Sequence, residues 1–254
     1  MAVYKADAIV IRSREYGEAD RLVTLFAREK GKINALAKGV RKPTSSQRAG
    51  TQLFTYADFL LHQGKTLDTI TQAQPRESFP HIWSDLDRTL AASGMAELLD
   101  ISTANKQPEP ELFTLTLTFL FMLKFLDPYI ALAGYALKLL GQQGYLPSMD
   151  SCTGCGRDLA EEQVFFNVDS GFLCTLGHNK QDNRQIAKAL CPGSIAFMKQ
   201  LTKVEPAKLD RLRWQKRIKE EILDGLRFFC EAKFERKLQA WRQIEEMTEG
   251  QGLK

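Results

Sequence analysis

Alternating hydrophobic and polar positions over the first third of the chain predict short β-strands. The candidate strands are residues 7–11, 22–26, 33–37, 54–61 and 67–71, separated by glycines and charged turns. Five short strands in a segment of this size are typical of an OB-type barrel, a fold that commonly presents one face and its loops to nucleic acid. A generic small β-barrel is the alternative.

The period of the apolar residues changes to a helical one after Pro80. Apolar residues recur with helical spacing over 82–99, a proline-marked break follows at 105–110, and residues 112–126 are almost wholly apolar. Asp127 and Pro128 predict the start of a second apolar helix that runs through Leu140. Helices this hydrophobic are expected in the centre of a helical bundle.

The last quarter of the chain is also helical in pattern. A short helix is predicted over 192–201, and Pro206 is expected to open a long helix whose apolar stripe continues to Ile244. Lys and Arg separate the apolar positions of this stripe. The sequence therefore predicts an α+β protein: a five-stranded OB-type barrel domain over 1–79, then an α-helical domain over 80–254 with an inserted zinc-finger-like module over 150–180.

Charge is unevenly distributed along the chain, although the net charge is only +4. Residues 1–80 carry +5, residues 81–150 carry −4, residues 151–190 carry −1 and residues 191–254 carry +4. A basic first segment beside an acidic second one suggests a directional field for a polyanion.

A polar loop over 39–50 is the strongest polyanion-binding candidate. Lys38, Arg41, Lys42 and Arg48 are its candidate DNA-binding residues, and no Asp or Glu occurs between Lys30 and Asp58. We expect these cations, which we call the basic loop, to be free of nearby carboxylates and available to phosphates. A merely solvated loop is the alternative. Tyr16, Phe26, Phe54 and Tyr56 are candidate stacking surfaces for bases, although each is more readily a core residue.

Cysteine spacing points to a metal site. Three of the five cysteines lie at Cys152, Cys155 and Cys174, and His178 follows the last of them. Two ligands from each of two knuckles match the tetrahedral site of a structural zinc, which leaves no open position for chemistry. Cys191 is the alternative fourth ligand, and a glycine-rich loop with free thiols is the alternative to a metal site.

Other function classes find little support in the sequence. Five cysteines in a metal-type spacing favour a reducing, cytoplasmic compartment over a disulfide scaffold. The first residues do not resemble a signal peptide, and the longest apolar run, 112–123, is too short to span a bilayer. No nucleophile, base and carboxylate fall together in a catalytic pattern, so we expect the protein not to be an enzyme.

Several motifs together resemble the RecO family of bacterial DNA repair and recombination proteins. They are Asp-Ala-Ile-Val-Ile at 7–11, Gly-Glu-Ala-Asp-Arg at 17–21, Ala-Lys-Gly-Val-Arg at 37–41, Leu-Leu-Gly-Gln-Gln-Gly-Tyr-Leu-Pro at 139–147, and the cysteine knuckles. The resemblance covers nearly the whole chain. The sequence departs from the family pattern at the fourth zinc ligand, which is commonly a cysteine.

The resemblance implies a non-catalytic recombination mediator. Such a protein would bind single- and double-stranded DNA, anneal complementary strands, and help to load recombinase. Its protein partners would be RecR and the acidic, Phe-ended C-terminal tail of single-stranded DNA-binding protein. It would not bind a membrane, and it would act in the cytoplasm at the nucleoid. The alternative function is a zinc-stapled protein-interaction scaffold without DNA contacts of its own.

Overall fold

The computed structural model describes residues 2–159, 163–169, 171–180 and 188–250, and for 178–180 and 248–250 the backbone alone. The chain divides into two compact units. The first comprises residues 1–88 and 99–124, and the second comprises residues 89–98 and 125–254. The domain boundary expected between residues 79 and 80 stays a prediction.

A closed five-stranded barrel forms most of the first unit. Its strands are β1 (Val3–Tyr16), β2 (Asp20–Ala27), β3 (Gly31–Ala37), β4 (Tyr56–His62) and β5 (Asp68–Glu77). They follow the order β1-β2-β3-β5-β4, and only the β3–β5 pairing is parallel. The predicted OB-type barrel is confirmed, with a strand at each of the five predicted positions.

Small side chains fill much of the barrel interior. Seven of its fifteen buried core residues are alanines: Ala6, Ala8, Ala27, Ala35, Ala37, Ala57 and Ala73. Larger residues such as Leu25 and Phe59 fill the remaining space. A barrel of only five strands has a narrow interior, so alternation of small and large residues lets it close without voids.

Helix α3 covers part of the barrel's outer face within the first unit. The helices of this region are α1 (Pro80–Trp83), α2 (Leu86–Ser102), which contributes to both units, and α3 (Pro110–Met122). The ring of Phe113 on α3 lies 6.3 Å from that of Phe26 on β2, and the Arg28 guanidinium lies 4.5 Å from the Phe113 ring centre. The end of β2 is therefore covered, whereas its beginning is open.

Helix α4 (Pro128–Gln142) is the most buried of the fully described helices of the second unit. Eleven of its fifteen residues are buried. The Asp127 carboxylate accepts hydrogen bonds from the amides of Tyr129 and Ile130, both at 2.9 Å, and so caps the helix as predicted.

Among the described residues, no helix combines the length and the apolar character needed to cross a membrane.

A small three-stranded sheet follows α4 along the chain in the second unit. Its strands are β6 (Val164–Asn167), β7 (Gly171–Cys174) and β8 (Lys188–Leu190), in the order β7-β6-β8. The Phe166 ring stacks between Phe172 at 4.3 Å and Phe229 at 4.6 Å. These stacked rings attach the sheet to the helix that carries Phe229.

The remaining elements are α5 (Thr175–Lys180), α6 (Pro192–Lys203), a 3₁₀ helix (Pro206–Arg211), α7 (Lys216–Phe234) and α8 (Gln239–Gly250). The short helix predicted over 192–201 is confirmed. The single long helix predicted from Pro206 is wrong, because the chain leaves helical geometry twice. Leu212 and Gln215 are extended, and Glu235 takes a left-handed conformation at φ 53°.

Candidate nucleic-acid interface and candidate metal centre

The open part of the barrel's outer face carries two arginines that the sequence analysis did not select. The register of β1 against β2 shifts between Val10 and Arg12, after which Arg12 lies opposite Thr24 and Arg14 opposite Leu22. Directly opposed residues share a face, so both arginines stand on the outside of the sheet. Their spacing of two along a strand was the signal that could have identified them.

These residues line a groove of about 290 Å³, here called the barrel groove. Its lining residues are Arg12, Arg14, Leu22, Val23, Thr24, Asn34 and Leu67. Leu67 belongs to the β4–β5 connection, and nucleic-acid-binding OB-type barrels use the face of strands 2 and 3 with this connection. Both arginines are exposed, and Arg12 also forms an ion pair with Asp100 at 3.6 Å.

The basic loop lies in the connection between β3 and β4. Lys38, Lys42 and Arg48 are exposed, as expected for phosphate-binding side chains. The connection is a succession of hydrogen-bonded turns, in which the Lys42 amide donates to Gly39 O at 3.2 Å and the Arg48 amide to Ser45 O at 3.4 Å. The cations are therefore displayed on an ordered backbone.

Arg41 differs from the other three cations of the basic loop. Its guanidinium pairs with the Glu15 carboxylate at 3.1 Å and donates to Gly17 O at 3.2 Å. The expectation that the loop lies free of nearby carboxylates is therefore wrong for Arg41. The β1–β2 turn folds beside the loop, where the Arg41 amide donates to Ala19 O at 2.9 Å, and brings in an acid distant in sequence.

The candidate stacking residues separate into two kinds. Phe26 and Phe54 are 0% and 1% exposed and belong to the core, so they offer no face to a base. Tyr56 is half-buried, with the Arg76 guanidinium 5.3 Å from its ring centre. Tyr16, at the end of β1, is 53% exposed and remains accessible.

Three cysteines come together in the second unit. The candidate ligand atoms of Cys152, Cys155 and Cys174 all lie within 4.8 Å of one another, and Cys155 Sγ is 3.4 Å from Cys174 Sγ. In a tetrahedron with Zn–S bonds of about 2.3 Å, neighbouring sulfurs stand roughly 3.8 Å apart. The spacing of the three sulfurs is therefore suitable for a tetrahedral metal ion.

Backbone geometry around the cysteines also suits thiolate ligands. The Cys174 amide donates to Cys152 Sγ and the Gly177 amide to Cys174 Sγ, both at 3.3 Å. A Cβ at residue 177 would lie 2.6 Å from Cys152 Sγ, so the close approach requires glycine there. Although burial opposes ionisation, amide donors from Cys174, Gly154 and Cys155 lower the pKa of Cys152 to about 7.

The fourth ligand is not settled by this geometry. The backbone of His178 lies in α5, but its side chain falls outside the described residues. Among the described residues, Cys191 does not belong to the three-cysteine cluster. Its Sγ lies 3.3 Å from Ser194 Oγ at the start of α6. The three-cysteine cluster can hold a metal ion, and His178 stays the predicted fourth ligand.

Two family models match the chain. The model described as recombination protein O N terminal matches residues 1–79, and the one described as recombination protein O C terminal matches residues 83–242. The first match covers the barrel, and the second covers the cysteine cluster.

Curated relatives match along nearly the whole chain. A DNA repair protein RecO from Desulfitobacterium hafniense (strain Y51) is 51% identical over 242 residues, covering 95% of this chain and 89% of the relative. Proteins of the same name from Heliobacterium modesticaldum and Desulforamulus reducens are 36% and 34% identical, covering 96% and 94% of this chain and 90% and 92% of their own lengths.

Proposed function

The chain belongs to the RecO family of DNA repair proteins, and on that premise we propose that it is a non-catalytic recombination mediator. It binds single- and double-stranded DNA, anneals complementary single strands, and helps to load recombinase together with RecR and single-stranded DNA-binding protein. The observation that carries the proposal is the closed OB-type barrel with exposed cations on its open face and in the adjoining connection.

Phosphate contacts would supply most of the affinity. Arg14 on the barrel groove and Lys38, Lys42 and Arg48 of the basic loop are exposed. Each cation that neutralises a phosphate releases condensed counterions, which favours binding without reading the base sequence. Tyr16 offers an accessible ring on which an unpaired base can stack.

Charge neutralisation also gives the route to annealing. Two complementary strands repel each other through their phosphates, and a cationic surface lowers this repulsion while the bases remain unpaired. The protein then needs to form or break no covalent bond. This is why we assign it no catalytic residues.

A structural zinc would be held by Cys152, Cys155, Cys174 and His178. With four protein ligands the ion leaves no position for water or substrate, so its contribution is to stability. It would join the first knuckle to β7 and α5, which carry the second pair of ligands. The thiolate-stabilising amides described above support this assignment.

The protein partners stay a prediction of the family relationship. We propose that the helical region after residue 80 receives the acidic tail of single-stranded DNA-binding protein and that the protein acts at the nucleoid in the cytoplasm. A cavity of about 330 Å³ between α7 and α8 has an apolar wall of Leu223, Trp241 and Ile244. Its lining contains more carboxylates than cations, so an acidic tail would find its charge partners elsewhere.

Fluorescence anisotropy of the full chain with a labelled single strand tests the DNA-binding part of the proposal. We expect binding that weakens steeply with salt, and faster pairing of complementary strands than without protein. Full-length protein is required, because residues 99–124 belong to the barrel unit and a cut at residue 80 would separate them. Protein that is folded, binds an acidic Phe-ended peptide and ignores DNA would instead be the interaction scaffold.

A further inference from the structure

A second concentration of positive charge lies in the second unit, far from the barrel in sequence. Residues 199–219, here called the basic segment, contain eight Lys or Arg and only two acidic residues. The net charge of this segment is therefore +6, which exceeds the net charge of +4 for the whole chain. The basic segment spans the end of α6, the 3₁₀ helix and the start of α7.

Apolar contacts hold the backbone of the basic segment in place. Leu209 in the 3₁₀ helix is 1% exposed, and the Trp214 ring stacks on Phe197 of α6 with centroids 5.4 Å apart. Between these two anchors the cationic side chains of Arg211 and Arg213 are exposed. The segment is thus a fixed support that displays cations.

Carboxylates neutralise only some of these cations. Lys208 pairs with Glu205 at 2.9 Å and Arg217 with Glu221 at 2.8 Å, while Lys216 lies 3.7 Å from Glu220. Among the described residues, no carboxylate partner is found for three exposed cations, Lys203, Arg211 and Arg213. One guanidinium nitrogen of Arg213 donates to the backbone carbonyls of Asp210 and Leu212, at 2.5 and 2.7 Å, so Lys203 and Arg211 are the more available of the three. Exposed ion pairs are weak, so the paired cations can also exchange partners.

Folding does not explain this distribution of charge. Lys216 and Arg217 occupy the first turn of α7, where the partial positive charge of the helix end disfavours cations, and no acidic residue lies in that turn. Their pairs with Glu220 and Glu221 run from cation to anion along the helix, which is the less favourable direction. A bound anion would compensate for both arrangements.

We propose that the basic segment is a second nucleic-acid contact surface, which binds the sugar-phosphate backbone of a strand other than the one on the barrel. The proposal rests on the proposed function. Arginine forks match phosphate oxygens, and the Trp214 ring is already stacked on Phe197, so the surface offers charge rather than a pocket for an apolar anchor. This favours a phosphate backbone over an acidic peptide.

Two separate strand-binding surfaces on one chain would have a clear use in annealing. The barrel would hold one strand with its bases accessible, and the basic segment would hold the complementary strand by its phosphates. Loss of the second surface should then slow annealing more than it weakens the binding of a single strand.

The test replaces Lys203, Arg211 and Arg213 together by Ala in the full chain. The matched control is Lys233, Arg236 and Lys237→Ala, which removes the same charge from exposed positions at the other end of α7. With labelled oligonucleotides of about ten nucleotides, roughly the size of one OB-type site, we expect two strands per chain for wild type and control and one for the variant. The slope of log affinity against log salt for the second strand should become shallower by up to about two units, since each contact contributes about 0.7.

Each outcome decides a different point. If wild-type protein neither binds nor anneals strands, the proposed function fails. If wild type anneals and the folded triple variant equals the control in stoichiometry and slope, the second surface is wrong. Retained strand binding with lost binding of an acidic peptide would also overturn it, in favour of a protein partner. Should the triple variant fold poorly, Arg211→Ala alone must still lower the slope by about 0.7.

Discussion

Removal of the three exposed cations of the basic loop should change the salt dependence of DNA binding by a predictable amount. The variant is Lys38, Lys42 and Arg48→Ala. If all three touch phosphate, the slope of log affinity against log salt should become shallower by about two units on single strands and nearly three on duplex, at about 0.7 and 0.9 per contact. Unrelated sequences should be affected equally, because phosphates carry no base identity.

The structure separates Arg41 from these three. Its guanidinium is engaged by Glu15 at 3.1 Å and by Gly17 O at 3.2 Å, so a phosphate would have to displace an existing partner. We therefore expect Arg41→Ala to lower the slope less than Lys42→Ala does. Glu15→Gln should act in the opposite direction, because it frees Arg41 and removes a charge that repels phosphate.

Anisotropy across a salt series, with the Lys233, Arg236 and Lys237→Ala protein as the control for lost charge, measures all of these slopes. The free energy of unfolding should change little in the Lys38, Lys42 and Arg48→Ala variant, since exposed substitutions away from caps and cores usually cost within about 0.5 kcal/mol. A folded triple variant with the wild-type slope would refute the assignment of phosphate contacts to the basic loop. An Arg41 effect equal to that of Lys42 would refute the role given to Glu15.

Three further predictions follow from other contacts. Cys155→Ser should lower the zinc content from about one ion per chain and reduce the melting temperature, whereas Cys191→Ala should retain the metal. If Cys191→Ala lost the zinc and His178→Ala kept it, Cys191 would replace His178 as the fourth ligand. Asp127→Ala should destabilise the fold by about 1 kcal/mol in denaturant unfolding, and Asp127→Asn by much less, because only the former removes the cap of α4. Burial acts to raise the pKa of Glu231, but hydrogen bonds from Arg242 and the Leu238 amide hold that pKa below the ordinary value of a glutamate. The stabilisation from this carboxylate is therefore fully present above the ordinary glutamate pKa and is lost as the pH falls through the lowered pKa of the folded state. Wild type should accordingly lose more thermal stability than Glu231→Gln on acidification, and equal losses would contradict this.

Local signals in the sequence were sufficient for the barrel and for most helix starts. Alternation located the strands because one side of each faces a closed interior. Among the described residues, four α-helices begin with proline, at Pro80, Pro110, Pro128 and Pro192, and this residue marks a helix start in sequence as well as in structure. The cysteine spacing predicted the cluster for a similar reason, because the two predicted ligands of each knuckle are close together in sequence.

The features that the sequence did not predict depend on contacts distant along the chain or on weak local signals. Arg41 meets Glu15 only because two connections of the barrel lie side by side. The long helix expected after Pro206 is broken near Glu235, where no glycine or proline marks the change. Bidentate hydrogen bonds from Arg242 to Glu231, at 2.8 and 2.7 Å, stabilise the α7–α8 corner that results.

The position of the cysteine cluster gives a physical reason for the proposed structural metal site. Strands β6 and β7 are only four residues long, and a sheet this small depends on the packing of its apolar face for stability. Cys174 is the last residue of β7, and the ring of Phe166 on β6 stacks on that of Phe229 on α7, so the sheet packs against this helix. Helix α7 in turn begins with the cations of the basic segment. A metal ion that fixes β7 would therefore help to hold the support on which the proposed second strand is bound, without touching that strand itself.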